Sequence, residues 1–382
     1  MSKRKPVKVG LIGSGEISGI YLKNMTQMFS ILEVVGCSDL IGERSRRRAE
    51  EFSIRQMTNE EILSDPEIQI VVNTTYPLSH YEVSRAALLA GKHVYSEKMM
   101  AVTMDEARSL MELARSRNLR MSFAPDTFLG AGLQTARKLI DDGMIGEPVC
   151  ATAMVIRGYL PEGEDDDGVP FIMAPGGGIP YDMGGYYLHG LINLLGPVSR
   201  VTGFSRTRHP VERHRNPRHP RYGEQFPFDT PNMMAGALEF EQGSYATFMA
   251  VSEGYGETPR LEIYGTKGIL VCGDPNSFGS PVQLGRINPE GDAAKRYDVP
   301  FTHGYAMNSR GIGVADMAWA ISNNRPHRCS AELGMHAFEI VCGITVSGES
   351  GAVYEMTTRC ERPAALPAGF VSGTAAEACL DN

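Results

Sequence analysis

The apolar run Val7–Ile12 stops at Gly13-Ser14-Gly15, and helical texture begins directly after it. A strand that ends in a glycine turn and feeds a helix can pair in parallel only with a strand reached by a crossover, since a hairpin would reverse it. The pattern then repeats. β-Branched runs at 33–38, 68–74, His93–Ser96 and 120–123 alternate with helical patterns at 43–52, 80–90 and 104–117. Such alternation predicts an α/β, doubly wound parallel sheet of the Rossmann type over residues 1–125.

Past Pro125 the texture changes. One more helix is expected at 133–142, followed by paired runs at 237–241 and 244–251 about Gln242-Gly243, and at 261–264 and 269–272 about Gly265–Gly268. These read as antiparallel hairpins with one polar face, closed by helices at 313–322 and 331–347. Residues 126–365 are thus expected to form an α+β domain around a large open, mainly antiparallel sheet. The Pro-, Ala- and Gly-rich stretch 366–382 is expected to be a loose tail.

A chain of 382 residues, 42 % hydrophobic and 21 % charged, has the length of two globular domains. Its formal charge of −8 argues against a nucleic-acid partner. Basic residues at 3–5 run straight into the first strand, with no apolar signal core and no stretch long enough to span a bilayer. The seven cysteines are scattered singly, with no Cys-x-x-Cys. A cytoplasmic protein with reduced thiols and no metal is the resulting expectation. An acidic loop at 162–168 and a basic one at 206–221 read as solvated or interface segments. Prolines separate His209, His214 and His219, so no helix aligns them as metal ligands.

The turn Gly13-Ser14-Gly15-Glu16-Ile17-Ser18 carries the first chemistry. The first glycine makes the tight turn, the second lets backbone amides approach a pyrophosphate, and a small third residue lets helix pack on strand. The helix N-terminus then favours the phosphate charge. Asp39 ends the next strand, 24 residues beyond Gly15, where a carboxylate can bind the adenosine ribose hydroxyls or cap the following turn. A carboxylate there repels a 2′-phosphate, so NAD is favoured over NADP, with Arg44 nearby as an opposing charge.

The stretch from Ala86 through Ala90-Gly91-Lys92-His93-Val94 to Glu97-Lys98, preceded by Thr75-Tyr76-Pro77 and His80, resembles the glucose–fructose oxidoreductase / inositol dehydrogenase family. Gly176-Gly177-Gly178, Asp182-x-Gly184-x-Tyr186 and Ile263–Gly268 extend the likeness, which runs from about Val7 to Val353. The resemblance implies hydride transfer between NAD(P) and a hydroxyl carbon of a sugar, glycoside or cyclic polyol. It also implies a homo-oligomer joined through the open sheet. It places Lys98, Asp182 and Tyr186 at the reacting hydroxyl, and Thr75, His80, Glu97 and Lys98 beside a cofactor held by Gly13, Gly15, Glu16, Ile17 and Asp39. His189 takes the place of a substrate-binding aspartate and competes with Tyr186 as acid/base. Burial beside a cationic nicotinamide should lower the Lys98 pKa. Asp182 and Tyr186, four apart, share a face if one helix carries both. Met99 replaces the family's proline, which removes the ordinary reason for a cis peptide there. His303, Asn308 and Arg310, in a polar stretch before a helix, are further substrate candidates.

Some relatives hold the nicotinamide tightly through both half-reactions. An NADP-dependent carbonyl or dihydrodiol reductase is the alternative within enzymes. From another class, a non-catalytic NAD(H)-binding redox sensor would use the same fold.

Overall fold

The computed structural model describes residues 5–158, 171–214, 216–254, 256, 259–286, 295–369 and 377–381. The acidic loop at 162–168 lies outside them.

The N-terminal part runs β1 (Val7–Ile12), α1 (Ser18–Gln27), β2 (Leu32–Ser38), α2 (Gly42–Phe52), β3 (Arg55–Gln56), α3 (Asn59–Ser64), β4 (Ile70–Asn73), α4 (Pro77–Leu89), β5 (His93–Ser96), α5 (Met104–Ser116) and β6 (Met121–Phe123). All six strands pair in parallel in the order β3-β2-β1-β4-β5-β6. Side chains alternate between two cores, as the period of a strand requires. Ile70 and Val72 enter one, while Val71 enters the other. Helices cover both faces, so the central strands β1 and β4 are mostly apolar. Thr58 and Thr103 open α3 and α5 with reciprocal capping boxes to Glu61 and Glu106. The order reverses between β1 and β4, where an open α/β sheet leaves a crevice at its carboxyl ends.

The chain continues through α6 (Ala131–Asp141), β7 (Pro148–Ile156), α7 (Ile179–Asp182), α8 (Gly184–Leu195), β8 (Val198–Arg206), β9 (Val211–Arg213), β10 (Gln225–Pro227), β11 (Met233–Phe240), β12 (Tyr245–Val251), β13 (Arg260–Gly265), β14 (Gly268–Val271), β15 (Val282–Arg286), β16 (Lys295–Val299), α9 (Ile312–Asn323), α10 (Ala331–Ser350) and β17 (Tyr354–Glu355). Nine strands form one mixed sheet, ordered β16-β15-β14-β13-β7-β12-β11-β8-β17, antiparallel except for β7 beside β12. The basic stretch folds as the separate hairpin β9–β10.

One face of the large sheet packs on helices, α10 most extensively on β8. Along β12, Ala246, Phe248 and Ala250 point into the core, whereas Tyr245 and Met249 point outward. Phe204 on β8 is 76 % exposed on the uncovered side.

The tail differs from expectation at its end. The Glu377 carboxylate accepts from Ser30 N, Ser30 Oγ, Ile31 N and Trp319 Nε1, and Leu380 is fully buried. An apolar side chain and a carboxylate saturated with donors anchor a segment whose composition alone suggests none.

Candidate active site

Two turns meet at the switch point. Gly13 has φ of 100°, and a Cβ there would lie 2.6 Å from Thr75 N. The protein itself therefore needs glycine at 13. At Gly15 a Cβ would meet nothing within 4 Å, so no contact inside the chain explains that glycine. Ile17 opens α1 with no side-chain cap, leaving amides of the first turn to an outside acceptor. Ser18 is buried and donates to Gly15 O at 2.5 Å. Exposed Glu16 gives only its backbone carbonyl, to Arg48 Nη2. This is a cradle that a dinucleotide pyrophosphate fits.

Asp39 serves the turn directly. Its Oδ2 accepts from Ser14 N at 2.7 Å and its Oδ1 from Ile41 N at 2.8 Å. The carboxylate thus caps its own turn and also fixes the glycine turn. Each oxygen keeps a lone pair for a ribose hydroxyl.

At the carboxyl end of β4, Thr75 donates through N and Oγ1 to Asn73 Oδ1. His80 is buried, with Nδ1 at 2.6 Å from Met99 O and Nε2 at 2.9 Å from Thr75 O, so its ring locks the β4 turn to the segment after β5. Burial lowers its pKa. The Lys98–Met99 peptide is cis although no proline is present, contrary to the reading of Met99. Glu97 is buried, accepting from Tyr21 Oη at 2.7 Å and from Lys98 N. Its carboxylate is therefore held by α1.

Lys98 Nζ donates to Asp182 Oδ1 at 2.5 Å, with side-chain exposures of 13 % and 20 %. Burial would lower the lysine pKa, but Asp182, Tyr186 and Glu97 outweigh it and raise it. The carboxylates beside it thus favour the ammonium form, opposite in direction to the depression that a cationic ring would impose. Asp182 and Tyr186 do not share one helix, since α7 ends at Asp182 and α8 begins at Gly184. Met183 stays in the right-handed region across the joint, so the two side chains still converge on Lys98. Lys98 Nζ lies 5.2 Å from the Tyr186 ring centroid. Asp182 also borders a cleft lined by Arg157, Ile172, Ile179, Met183, Phe228 and Ser252.

Arg310 joins this group, its Nη2 donating to Tyr186 Oη at 3.2 Å and to Asn276 Oδ1 at 2.6 Å. Exposed Asn308 accepts from Arg310 Nη1 at 2.9 Å. His189 is buried, its Nδ1 on Gly185 O at 2.9 Å and its ring against Phe128, and burial pushes its pKa down to about 4. Its Nε2 has no protein partner, and none of its hydrogen bonds reaches Lys98 or Asp182. His303 stands elsewhere, between Thr302 Oγ1 and Leu366 O, where it fastens the C-terminal segment. Sequence patterns pointed to neither Asn276 nor Tyr21, because their partners lie 34 and 76 residues away and no local motif marks them. Among the described residues, no cluster of histidine, cysteine and acidic side chains could hold a metal, and no helix is long and apolar enough to cross a membrane.

Family models match both halves of the chain. Residues 133–271 match the GFO/IDH/MocA C-terminal domain model. An uncharacterised oxidoreductase of Schizosaccharomyces pombe is 31 % identical over 205 residues, covering 52 % of this chain and 54 % of its own. An inositol 2-dehydrogenase/D-chiro-inositol 3-dehydrogenase of Lactiplantibacillus plantarum is 26 % identical over 159 residues, 39 % of this chain and 44 % of its own. The chain thus spans about half the length of these curated relatives or less. A levoglucosan dehydrogenase solved with NADH superposes with a TM-score of 0.80 at 20 % identity, over 93 % of this chain and 100 % of its own, which shows a shared fold. With residues 7–124 matching the oxidoreductase family model with its NAD-binding Rossmann fold, the chain belongs to the Gfo/Idh/MocA oxidoreductase family that its motifs resemble.

Proposed function

We propose that this protein is an NAD-dependent oxidoreductase that moves hydride between the nicotinamide and a ring hydroxyl or ketone of a sugar, glycoside or cyclic polyol. The observation that carries the reading is the 2.5 Å Lys98–Asp182 pair beside the Tyr186 phenol, at the sheet end where the glycine turn lies. A dinucleotide held by the glycine turn and Asp39 would supply the hydride acceptor or donor, and the proton is left to the chain.

Oxidising an alcohol requires its hydroxyl proton to leave as the hydride does. Lys98, fixed as an ammonium, stabilises charge developing on the hydroxyl oxygen. Tyr186 takes that proton as the phenolate and, as the phenol, returns it in the reverse direction. Asp182 orients Lys98 and presents its carboxylate to neighbouring hydroxyls. His189 offers Nε2 as a neutral acceptor to substrate rather than as the main base, since a pKa near 4 makes a weak base at neutral pH. Asn308 contributes at the rim. Asp39 beside the glycine turn supports NAD over NADP, because its charge would repel a 2′-phosphate. The C3 hydroxyl of a glycoside is the first position to test. The uncovered sheet face with Phe204, Tyr245 and Met249 supports a homo-oligomer, and light scattering should show Phe204→Glu dissociating it.

The direct test follows absorbance at 340 nm with NAD and NADP over a panel of hexoses, methyl glycosides, anhydrosugars and inositols. Turnover is expected with NAD, and Lys98→Met is expected to lower kcat by about 10²–10⁴-fold while keeping dinucleotide binding. No change with any panel member sinks the reading. Full turnover by Lys98→Met sinks the assignment of that residue.

A further inference from the structure

The two cations beside Tyr186 differ in one respect. Lys98 is neutralised by Asp182 at 2.5 Å, whereas Arg310 has no carboxylate within ion-pair distance among the described residues. Its guanidinium is held instead by two neutral amide oxygens, of Asn276 at 2.6 Å and Asn308 at 2.9 Å. Its carbon lies 5.9 Å from the Tyr186 ring centroid, and Nη2 reaches the phenolic oxygen at 3.2 Å. Amide oxygens orient a guanidinium without cancelling its charge. Burial would lower the Arg310 pKa, but Tyr186, Tyr21 and Asp126 outweigh it and raise it, so the guanidinium stays protonated.

We infer that Arg310 is a positioning residue for Tyr186, fixing the direction of its hydroxyl and stabilising its phenolate. The inference rests on the proposed role of Tyr186 as acid/base. Because a guanidinium only donates, the phenolic oxygen must accept from it. The phenol hydrogen therefore points away from Arg310, and among the described residues no protein acceptor meets it. It is left for the substrate oxygen. Once that proton has gone, the Arg310 N–H bonds a phenolate, and a charge-assisted bond is stronger than the neutral one it replaces.

Other charged groups face Tyr186 as well. Burial raises its pKa, Lys98 and Arg310 lower it, and Glu97 and Asp182 raise it again. His189, three residues on along α8, is neutral. Arg310 is the cation among them that hydrogen-bonds the phenolic oxygen, so its removal should be felt directly at that atom. The loop bearing it is also tied to the dinucleotide-binding half, since Asn24 Nδ2 on α1 donates to Asn308 O at 2.9 Å and Arg310 O at 2.8 Å. The helix that begins at the glycine turn thereby holds the backbone that aims the guanidinium.

The test needs no substrate. Protein labelled with ¹³Cζ-tyrosine is titrated by NMR, and the Tyr186 resonance is assigned by its loss in Tyr186→Phe. Arg310→Met is expected to weaken the acid at Tyr186 at least tenfold, moving its midpoint up by one pH unit or more. Arg310→Lys should move it less. Asn276→Ala, which frees the guanidinium without removing it, should give a smaller shift in the same direction and serves if Arg310→Met does not fold. With substrate, Arg310→Met should move the rising limb of kcat to higher pH with KM changed less than about threefold. An unchanged Tyr186 midpoint in both Arg310→Met and Asn276→Ala overturns the inference, as does a raised KM with an unmoved limb. A shifted midpoint in a protein that turns over no sugar or polyol would refute the proposed function and leave the Arg310–Tyr186 coupling intact.

Discussion

The acid strength of a lysine is decided by the charges nearest to it, and for Lys98 the nearest is Asp182, 84 positions along the chain. The Glu97-Lys98 motif is legible in sequence because its residues are contiguous, but its electrostatics are not, because they come from α7 and α8. His303 shows the reverse error. It looks like a sugar ligand among polar neighbours, yet Leu366 O and Thr302 occupy its ring. The glycine turn was readable in full, although its two glycines answer to different demands. Gly13 is required by Thr74 and Thr75, whereas no contact within the chain explains Gly15. Gly13→Ala is therefore expected to displace the β4 turn, with the fold destabilised by about 1–3 kcal/mol and NAD affinity lowered more than tenfold. Gly15→Ala should leave Tm within a degree or two while still weakening NAD. Calorimetry and fluorescence titration of the pair separate these roles, and equal loss of stability in both would refute the distinction.

At the level of elements, three helices could be read to within a residue or two, whereas the nine-residue strands β7 and β8 went unread along with the shortest strands. The expected helices at 43–52, 104–117 and 133–142 differ from α2, α5 and α6 by one or two residues at their ends. β3 and β17 have two residues each, too few to show a period, and exist because neighbours pair with them. The joint between α7 and α8 escaped notice because Met183 remains nearly helical. Packing fixes that joint. A Cβ on Gly184 would come within 2.8 Å of Phe248 Cζ, and Phe248 is buried in β12. Gly184→Ala should therefore cost about 1–3 kcal/mol through overpacking and shift Asp182 relative to Tyr186. The companion Phe248→Leu should recover part of the activity lost by Gly184→Ala. Simple addition of the two defects would show that this contact does not set the joint.

Across the whole molecule, buried neutral histidines set the response to acid. His93, His189 and His336 are pushed by burial from 6.5 down to about 4. His93 Nδ1 accepts from Arg120 N, and His336 Nε2 accepts from Val198 N, bonds that protonation would remove. The unfolded chain binds these protons first, so stability is fully present above about pH 6.5 and is lost as pH falls toward 4. Tm should be level above pH 7 and then decline, with up to about 1.4 kcal/mol per pH unit for each histidine. His93→Gln should flatten part of the slope, and a level Tm from pH 7 to 4.5 would refute the account. The two sheets were legible as separate runs of texture, but how the chain laces them was not. After the excursion through the large sheet, α9 returns, with Asp126 Oδ2 accepting from Gly311 N and Gly313 N. Ser330 then bridges to Ser122 just before α10 leaves again, and Glu377 closes on Ser30 and Ile31. The halves are therefore fastened to each other at several separate points. Several ties resist twisting of one half against the other, so Lys98 and Tyr186, one from each half, should keep their register when a dinucleotide binds.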